Sequence, residues 1–324
     1  MTEKLSQEKS TIVRKIPRRL RLIRRALAWG EHWSPQVAGR SAVRLWCTPP
    51  SPAGRRQDNR TAPGLSSIVV LAGGRRVQVE TWAPAEQAAP APTIYLAHGW
   101  GGWRGQLGAF VEPLRAAGFR VVGFDAPAHG DSGPGGLGRN QASGIEFAET
   151  LAAVARVHGP AAGVIAHSLG AATTILALRD GLTVGRLVLI APSSDPMSVV
   201  GRFQRELGLG RRTAVEFLLR LHRVAGRPLT DLNALTVPDS VPRPPTLIIH
   251  DRDDSDTSFA EAERLAVRWP ADLIGTDGLG HHRILRDPEV VAAAARFLGA
   301  APEPDRTNLG AEREEPARAG AILP

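Results

Sequence analysis

From about Leu65 the chain alternates short aliphatic or β-branched runs with helix-length segments, and this rhythm constrains the fold more than any other feature. The runs at 93–97, 120–125, 163–166, 187–190 and 246–250 show no polar alternation, as strands buried on both faces require. Between them, residues 106–117, 141–158, 169–179, 259–269 and 288–298 have helical length and spacing. Such alternation implies an α/β fold, with a mostly parallel central sheet covered by helices on both faces. Ahead of it, 67–71 and 76–82 flank Gly73-Gly74, a hairpin signal.

Residues 193–242 break the rhythm. Phe203 and Leu207, then Val215, Leu218, Leu219 and Leu221, recur at helical spacing without a strand candidate, so a helical cap insertion is expected there. After Ala300 the chain has Pro, Glu, Arg and Gly without periodicity, and 301–324 reads as a disordered tail. Residues 160–178 lack Asp, Glu, Lys and Arg, long enough to suggest a membrane span. Gly163, His167, Ser168, Gly170, Thr173 and Thr174 within it favour a strand followed by a helix.

The formal net charge of +8 would by itself suggest a nucleic-acid or membrane binder. Its placement argues otherwise for the main body: residues 1–60 hold 14 Lys/Arg against 4 Asp/Glu, leaving 26 against 28 in residues 61–324. No nucleic-acid partner is expected. Residues 1–64 read as a basic helical extension and linker, with Ile12, Ile16, Leu20, Ile23 and Leu27 at helical spacing. Ser34-Pro35 opens a second helix that Thr48-Pro49-Pro50 stops, and 51–63 reads as the linker. Arginines 18, 19, 21, 24 and 25 interrupt any secretory apolar core, so a cytoplasmic location is expected. Residues 1–30 offer a peripheral contact to the anionic inner membrane face, although packing of these helices on the body is the first expectation for Trp29, Trp33 and Trp46.

Within 65–300, the motif with the most chemistry is Ala166-His167-Ser168-Leu169-Gly170, set between an aliphatic run and a helix-compatible run. It is a nucleophile-elbow pattern with Ala in place of the first Gly. A serine on so sharp a strand-to-helix turn has strained angles, so the residues two before and two after it must be small. Serine needs a base, and the base needs an acid to hold its tautomer. Asp251, Asp253 and Asp254 directly follow a strand, and His281-His282 lie in the Gly-rich stretch 278–282 before the last helix. The order serine, acid, histidine suits this elbow. Upstream, His98-Gly99-Trp100-Gly101-Gly102 follows a strand, and an N–H from that loop can join that of Leu169 in binding an oxyanion.

With these blocks and residues 124–132 in order, the chain resembles the α/β-hydrolase fold superfamily over roughly residues 65–298. The resemblance implies Ser168 as nucleophile, His281 as general base and acid, and Asp254 as the histidine's partner. It implies oxyanion N–H groups from Trp100 and Leu169. Asp251 stands where such proteins usually carry a glycine, which keeps Asp253 as the alternative acid, and adjacent His282 remains the alternative to His281. A serine at this position departs from the haloalkane dehalogenase and epoxide hydrolase branches, which carry aspartate.

Other signals have blander readings. The His129-Gly130 block resembles a signature of that superfamily whose usual role is to shape the loop after a strand. Gly133–Gly138 matches a dinucleotide fingerprint in spacing but follows no strand end. Asp251 to Asp256 lacks the glycine and glutamate of a calcium loop. His32, His158 and His222 stand alone, and Cys47, the one cysteine, reads as a small packing residue. The expectation is a serine hydrolase acting on a small-molecule acyl substrate through an acyl-enzyme, with no metal or organic cofactor required. Carboxylester is the leading bond; thioester, peptide and acyl transfer remain open. The alternative is a catalytically silent binding module of the same fold, membrane-attached through its basic N-terminus.

Overall fold

The computed structural model describes residues 18–50, 56–86 and 90–299. The readings for residues 12–17, for 51–55 of the linker and for the tail 301–324 lie outside the described residues. The apolar runs form one sheet of eight strands: β1 (Leu65–Val70), β2 (Arg76–Trp82), β3 (Thr93–Ala97), β4 (Arg120–Phe124), β5 (Ala161–His167), β6 (Val184–Ile190), β7 (Thr246–Asp251) and β8 (Asp272–Thr276). Their order is β1-β2-β4-β3-β5-β6-β7-β8. β2 runs antiparallel to both of its neighbours, and every pairing from β4 to β8 is parallel.

The helices are α1 (Arg18–Trp33), α2 (Pro35–Trp46), α3 (Val111–Ala116), α4 (Gly144–His158), α5 (Leu169–Arg179), α6 (Pro196–Leu207), α7 (Arg211–Ala225), α8 (Phe259–Arg268), α9 (Gly280–Arg283) and α10 (Pro288–Gly299). The absence of polar alternation in the inner strands has a direct cause. Tyr95, Ala97, Val164 and Ala166 pack under α4, α5 and α8 on one face, while Ile94, Leu96 and Ile165 pack against α3 and α10 on the other. With both faces covered, neither side chain parity can be polar.

The structure departs from the sequence reading at several points, one being Trp29 and Trp33, expected to pack on the body but exposed. Residues 106–117 are not one helix but a 3₁₀ stretch, Arg104–Phe110, followed by α3. Asn59 takes the carbonyls of Gly105 (2.9 Å) and Gln106 (2.7 Å), which an α-helix would need for its own ladder. Residues 141–143 lie outside α4, because Ser143 and Glu146 form a reciprocal capping box that starts the helix at Gly144. Strand β8 was not anticipated: Asp272 and Gly275 interrupt its apolar run, and as an edge strand it is only partly buried.

Between β6 and β7 the chain makes α6, α7 and two short 3₁₀ turns. The N-terminal helices pack here. Ala42, Val43 and Cys47 of α2 and its end meet Phe217 and Leu221 of α7, and Trp46 lies edge-on to Phe203 at 5.0 Å. Leu27 of α1 packs with Ala38 and Leu207. Glu31 of α1 then caps α7, its carboxylate accepting the N–H groups of Arg212 (2.9 Å) and Thr213 (2.8 Å). Burial pushes this carboxyl up, but the bonds from Thr213 and Arg212 outweigh it and leave the group below the ordinary range. A cap of this kind contributes about 1 kcal/mol. Here it also fastens α1 to a helix some 180 residues away in sequence.

Candidate active site

Ser168 sits between β5 and α5 with φ 52° and ψ −119°. A non-glycine residue there is strained, a cost of roughly 1–3 kcal/mol that the surrounding packing must hold. The small neighbours permit it. A Cβ on Gly170 would lie 2.6 Å from the carbonyl oxygens of Ala97 and His98, and one on Gly99 would lie 2.9 Å from the Ser168 Cβ. Ala166 is fully buried. The turn is pinned by Ser168 N–H donating to Ile190 O at 3.0 Å and Ser193 N–H donating to Ser168 O at 3.2 Å.

The loops after β7 and β8 bring an imidazole and a carboxylate to this turn. Ser168 Oγ lies 3.0 Å from His281 Nε2, and His281 Nδ1 lies 2.7 Å from Asp254 Oδ2. Asp254 is fixed from several sides. His250 Nε2 stands 3.3 Å and Thr257 Oγ1 3.0 Å from the same oxygen, while the N–H groups of Asp256 (2.7 Å) and Thr257 (3.1 Å) bond Oδ1. Burial pushes the Asp254 carboxyl up. The hydrogen bonds from His250 and His281 and the charge of His281 outweigh that and hold it well below the usual carboxylate range.

The alternatives left open by the sequence are placed differently. Asp253 Oδ2 accepts Gly278 N–H at 3.1 Å. Asp251, in the expected glycine place, accepts Leu279 N–H (2.9 Å) and the Thr276 hydroxyl (2.7 Å), so it shapes the loop that carries His281. His282 has its ring 5.1 Å from that of His281 and 5.9 Å from that of His167. His167 donates from Nε2 to the His281 carbonyl at 3.0 Å. Sequence reasoning had passed over His167, His250 and Thr257. His167 lay inside the elbow motif and His250 at a strand end, but their contacts depend on residues 114 and 4 positions away.

The N–H groups of Trp100 and Leu169 have no hydrogen-bond acceptor among the described residues. Leu169 opens α5, where N–H groups lack intrahelical partners. The Trp100 loop is held by His98, which donates to Gly99 O (2.7 Å) and accepts from Ala126 N–H (3.0 Å). That pattern requires a neutral ring, and burial lowers the His98 pKa to about 4. His129 packs beneath the Trp100 ring at 4.9 Å, with burial lowering its pKa to about 3. Asp125 accepts the N–H groups of Arg104 (2.7 Å) and Asp131 (2.8 Å) and pairs with the Arg104 guanidinium, so the 124–132 block orders loops.

Ser168, Trp100 and Leu169 face a cavity of about 430 Å³ between the sheet and the helices. Its wall is mainly apolar and includes Trp46, Cys47, Phe203 and Leu221, so α2 contributes to it together with α6 and α7. Burial pushes the Cys47 thiol up to about 12, leaving it a neutral wall residue. Among the described residues, Asp254, Asp256 and His281 present ligand atoms within 4.8 Å of one another. Two of those three already bond each other.

The alpha/beta hydrolase family model matches residues 94–294. No curated protein matches the sequence. Among solved structures, the Pyrococcus furiosus esterase Pf2001 is 20% identical with a TM-score of 0.58, over 78% of this chain and 96% of that one. Est1E from Butyrivibrio proteoclasticus is 16% identical with a TM-score of 0.54, over 72% and 97%. The esterase RhEst1 from Rhodococcus sp. ECU1013 is 17% identical with a TM-score of 0.52, over 72% and 98%. At such identities the likeness is one of fold. Among the described residues, no helix is long and apolar enough to cross a membrane.

Proposed function

The chain belongs to the alpha/beta hydrolase family, and on that premise we propose that it is a serine hydrolase cleaving a carboxylic ester or related acyl bond through an acyl-enzyme. The observation that carries this reading is the relay Ser168–His281–Asp254, with links of 3.0 and 2.7 Å, opening onto an apolar cavity.

In this reading His281 Nε2 takes the Ser168 proton as Oγ attacks the acyl carbon. The carbonyl electron pair moves to oxygen, and the free N–H groups of Trp100 and Leu169 supply the donors for the oxyanion. His281 then protonates the departing alcohol, leaving an ester on Ser168. Water that gives its proton to His281 repeats the sequence and releases the acid. Asp254, held ionised, keeps Nδ1 protonated and Nε2 free to accept. The apolar wall formed by Trp46, Cys47 and Phe203 suits the hydrocarbon part of an acyl group.

Purified protein is expected to hydrolyse p-nitrophenyl esters, with rates that vary across a series from acetyl to dodecanoyl. No turnover on any member would sink the proposal. A pH profile tests the relay. Burial and the adjacent His281 push His167 and His282 below the ordinary imidazole range, and Asp254 stays ionised. With those two rings neutral to lower pH than a free imidazole, the acid limb of log kcat/KM should have unit slope; a slope of two contradicts the assignment.

A further inference from the structure

Helix α1 has two apolar faces, and one of them has no protein partner among the described residues. Leu20, Ile23 and Leu27 turn inward onto Leu207 and its neighbours. Positions 22, 26, 29 and 33, spaced four, three and four apart, form a second stripe turned away from the first, with Leu22 66%, Trp29 68% and Trp33 74% exposed. The two indole rings lie 6.2 Å apart, and Val37 at the start of α2 is also exposed. Arg18, Arg19 and Arg25 flank this stripe at helical spacing; Arg21 of α1 and Arg40 and Arg44 of α2 are exposed as well, the last two beside residues 137–141. None forms an ion pair among the described residues. Glu31, the single carboxylate of residues 18–50, is turned inward as the cap of α7.

We propose that the outward face of α1 and α2 is a docking surface for an anionic phospholipid bilayer. Indoles and aliphatic side chains in a central stripe suit the boundary between headgroups and acyl chains, and a rim of unpaired guanidiniums suits lipid phosphates. A nucleic acid needs the arginines but leaves Leu22 and Val37 facing water, so the apolar centre favours lipid. Because α2 also walls the cavity through Trp46 and Cys47, the docked element is continuous with the proposed substrate site.

Flotation of the full-length protein with phosphatidylcholine–phosphatidylglycerol vesicles, against phosphatidylcholine alone, tests this. Binding should require the anionic lipid and weaken with added salt. Joint Arg18→Glu, Arg19→Glu and Arg25→Glu substitution should lower the partition coefficient more than a hundredfold, at about fivefold for each arginine lost. Joint Trp29→Ala and Trp33→Ala substitution should lower it about tenfold. Both variants should keep the wild-type melting temperature and turnover of a short soluble ester. No binding to anionic vesicles overturns the proposal, as does binding that neither variant weakens. So does equal or tighter binding to duplex DNA or RNA, or self-association through Trp29 and Trp33 without vesicle binding. Flotation needs no turnover, so loss of the hydrolase reading would leave this result standing.

Discussion

Ser168→Ala should reduce ester turnover by about 10⁴-fold or more, with the protein still folded. Its hydroxyl faces the cavity and stands within hydrogen-bond distance, 3.0 Å, of an imidazole. Removing it removes the acyl-enzyme route and leaves binding and the two N–H donors. A loss of 10⁴-fold corresponds to about 5.5 kcal/mol of transition-state stabilisation. The backbone at position 168 is held by Ile190 O and Ser193 N–H, neither of which needs the side chain. The melting temperature should therefore stay within a few degrees, and full turnover by a folded variant would refute the mechanism.

Asp254→Asn should cost about 10³- to 10⁴-fold in kcat, while Asp253→Asn should change kcat less than threefold. The asparagine side chain at position 254 would be nearly isosteric, but it lacks the charge that stabilises the imidazolium and fixes its tautomer. It would also put an amide among His281, His250 and Thr257, which all converge on Oδ2. Asp253 only accepts Gly278 N–H at 3.1 Å. Steady-state kinetics of the two variants on one ester decides between them, and a larger loss at Asp253 would exchange their roles. The comparison matters because Asp251, not glycine, closes the strand, and spacing alone left both carboxylates available.

The buried strands were legible because burial on two faces writes itself into composition, residue by residue. The elbow was legible because steric crowding around Ser168 demands small residues at fixed offsets, and Ala166 and Gly170 meet it. Strand β8 was not, since an edge strand with Asp272 and Gly275 carries too little apolar signal. Sequence order offered Ser168 with several aspartates and two histidines, and the resemblance implied Asp254 and His281 among them, but not the support that His250 and Thr257 give the carboxylate, which depends on how one loop folds back. The cavity wall was the least legible part. Cys47 read as a packing residue, yet its place beside the cavity follows from α2 crossing α7, a contact between segments some 170 residues apart.

The same tertiary contact changes the meaning of the basic N-terminus. Its helices are packed by one face onto α6 and α7 and carry their charge on the other.

Whether Ser168 is an activated nucleophile is decided by treating the folded full-length protein with a fluorophosphonate and mapping the adduct by mass spectrometry. A single phosphonyl addition on Ser168 is expected, abolished in Ser168→Ala and strongly slowed in Asp254→Asn. A folded wild-type protein that stays unlabelled, or carries its adduct on another residue, would contradict it.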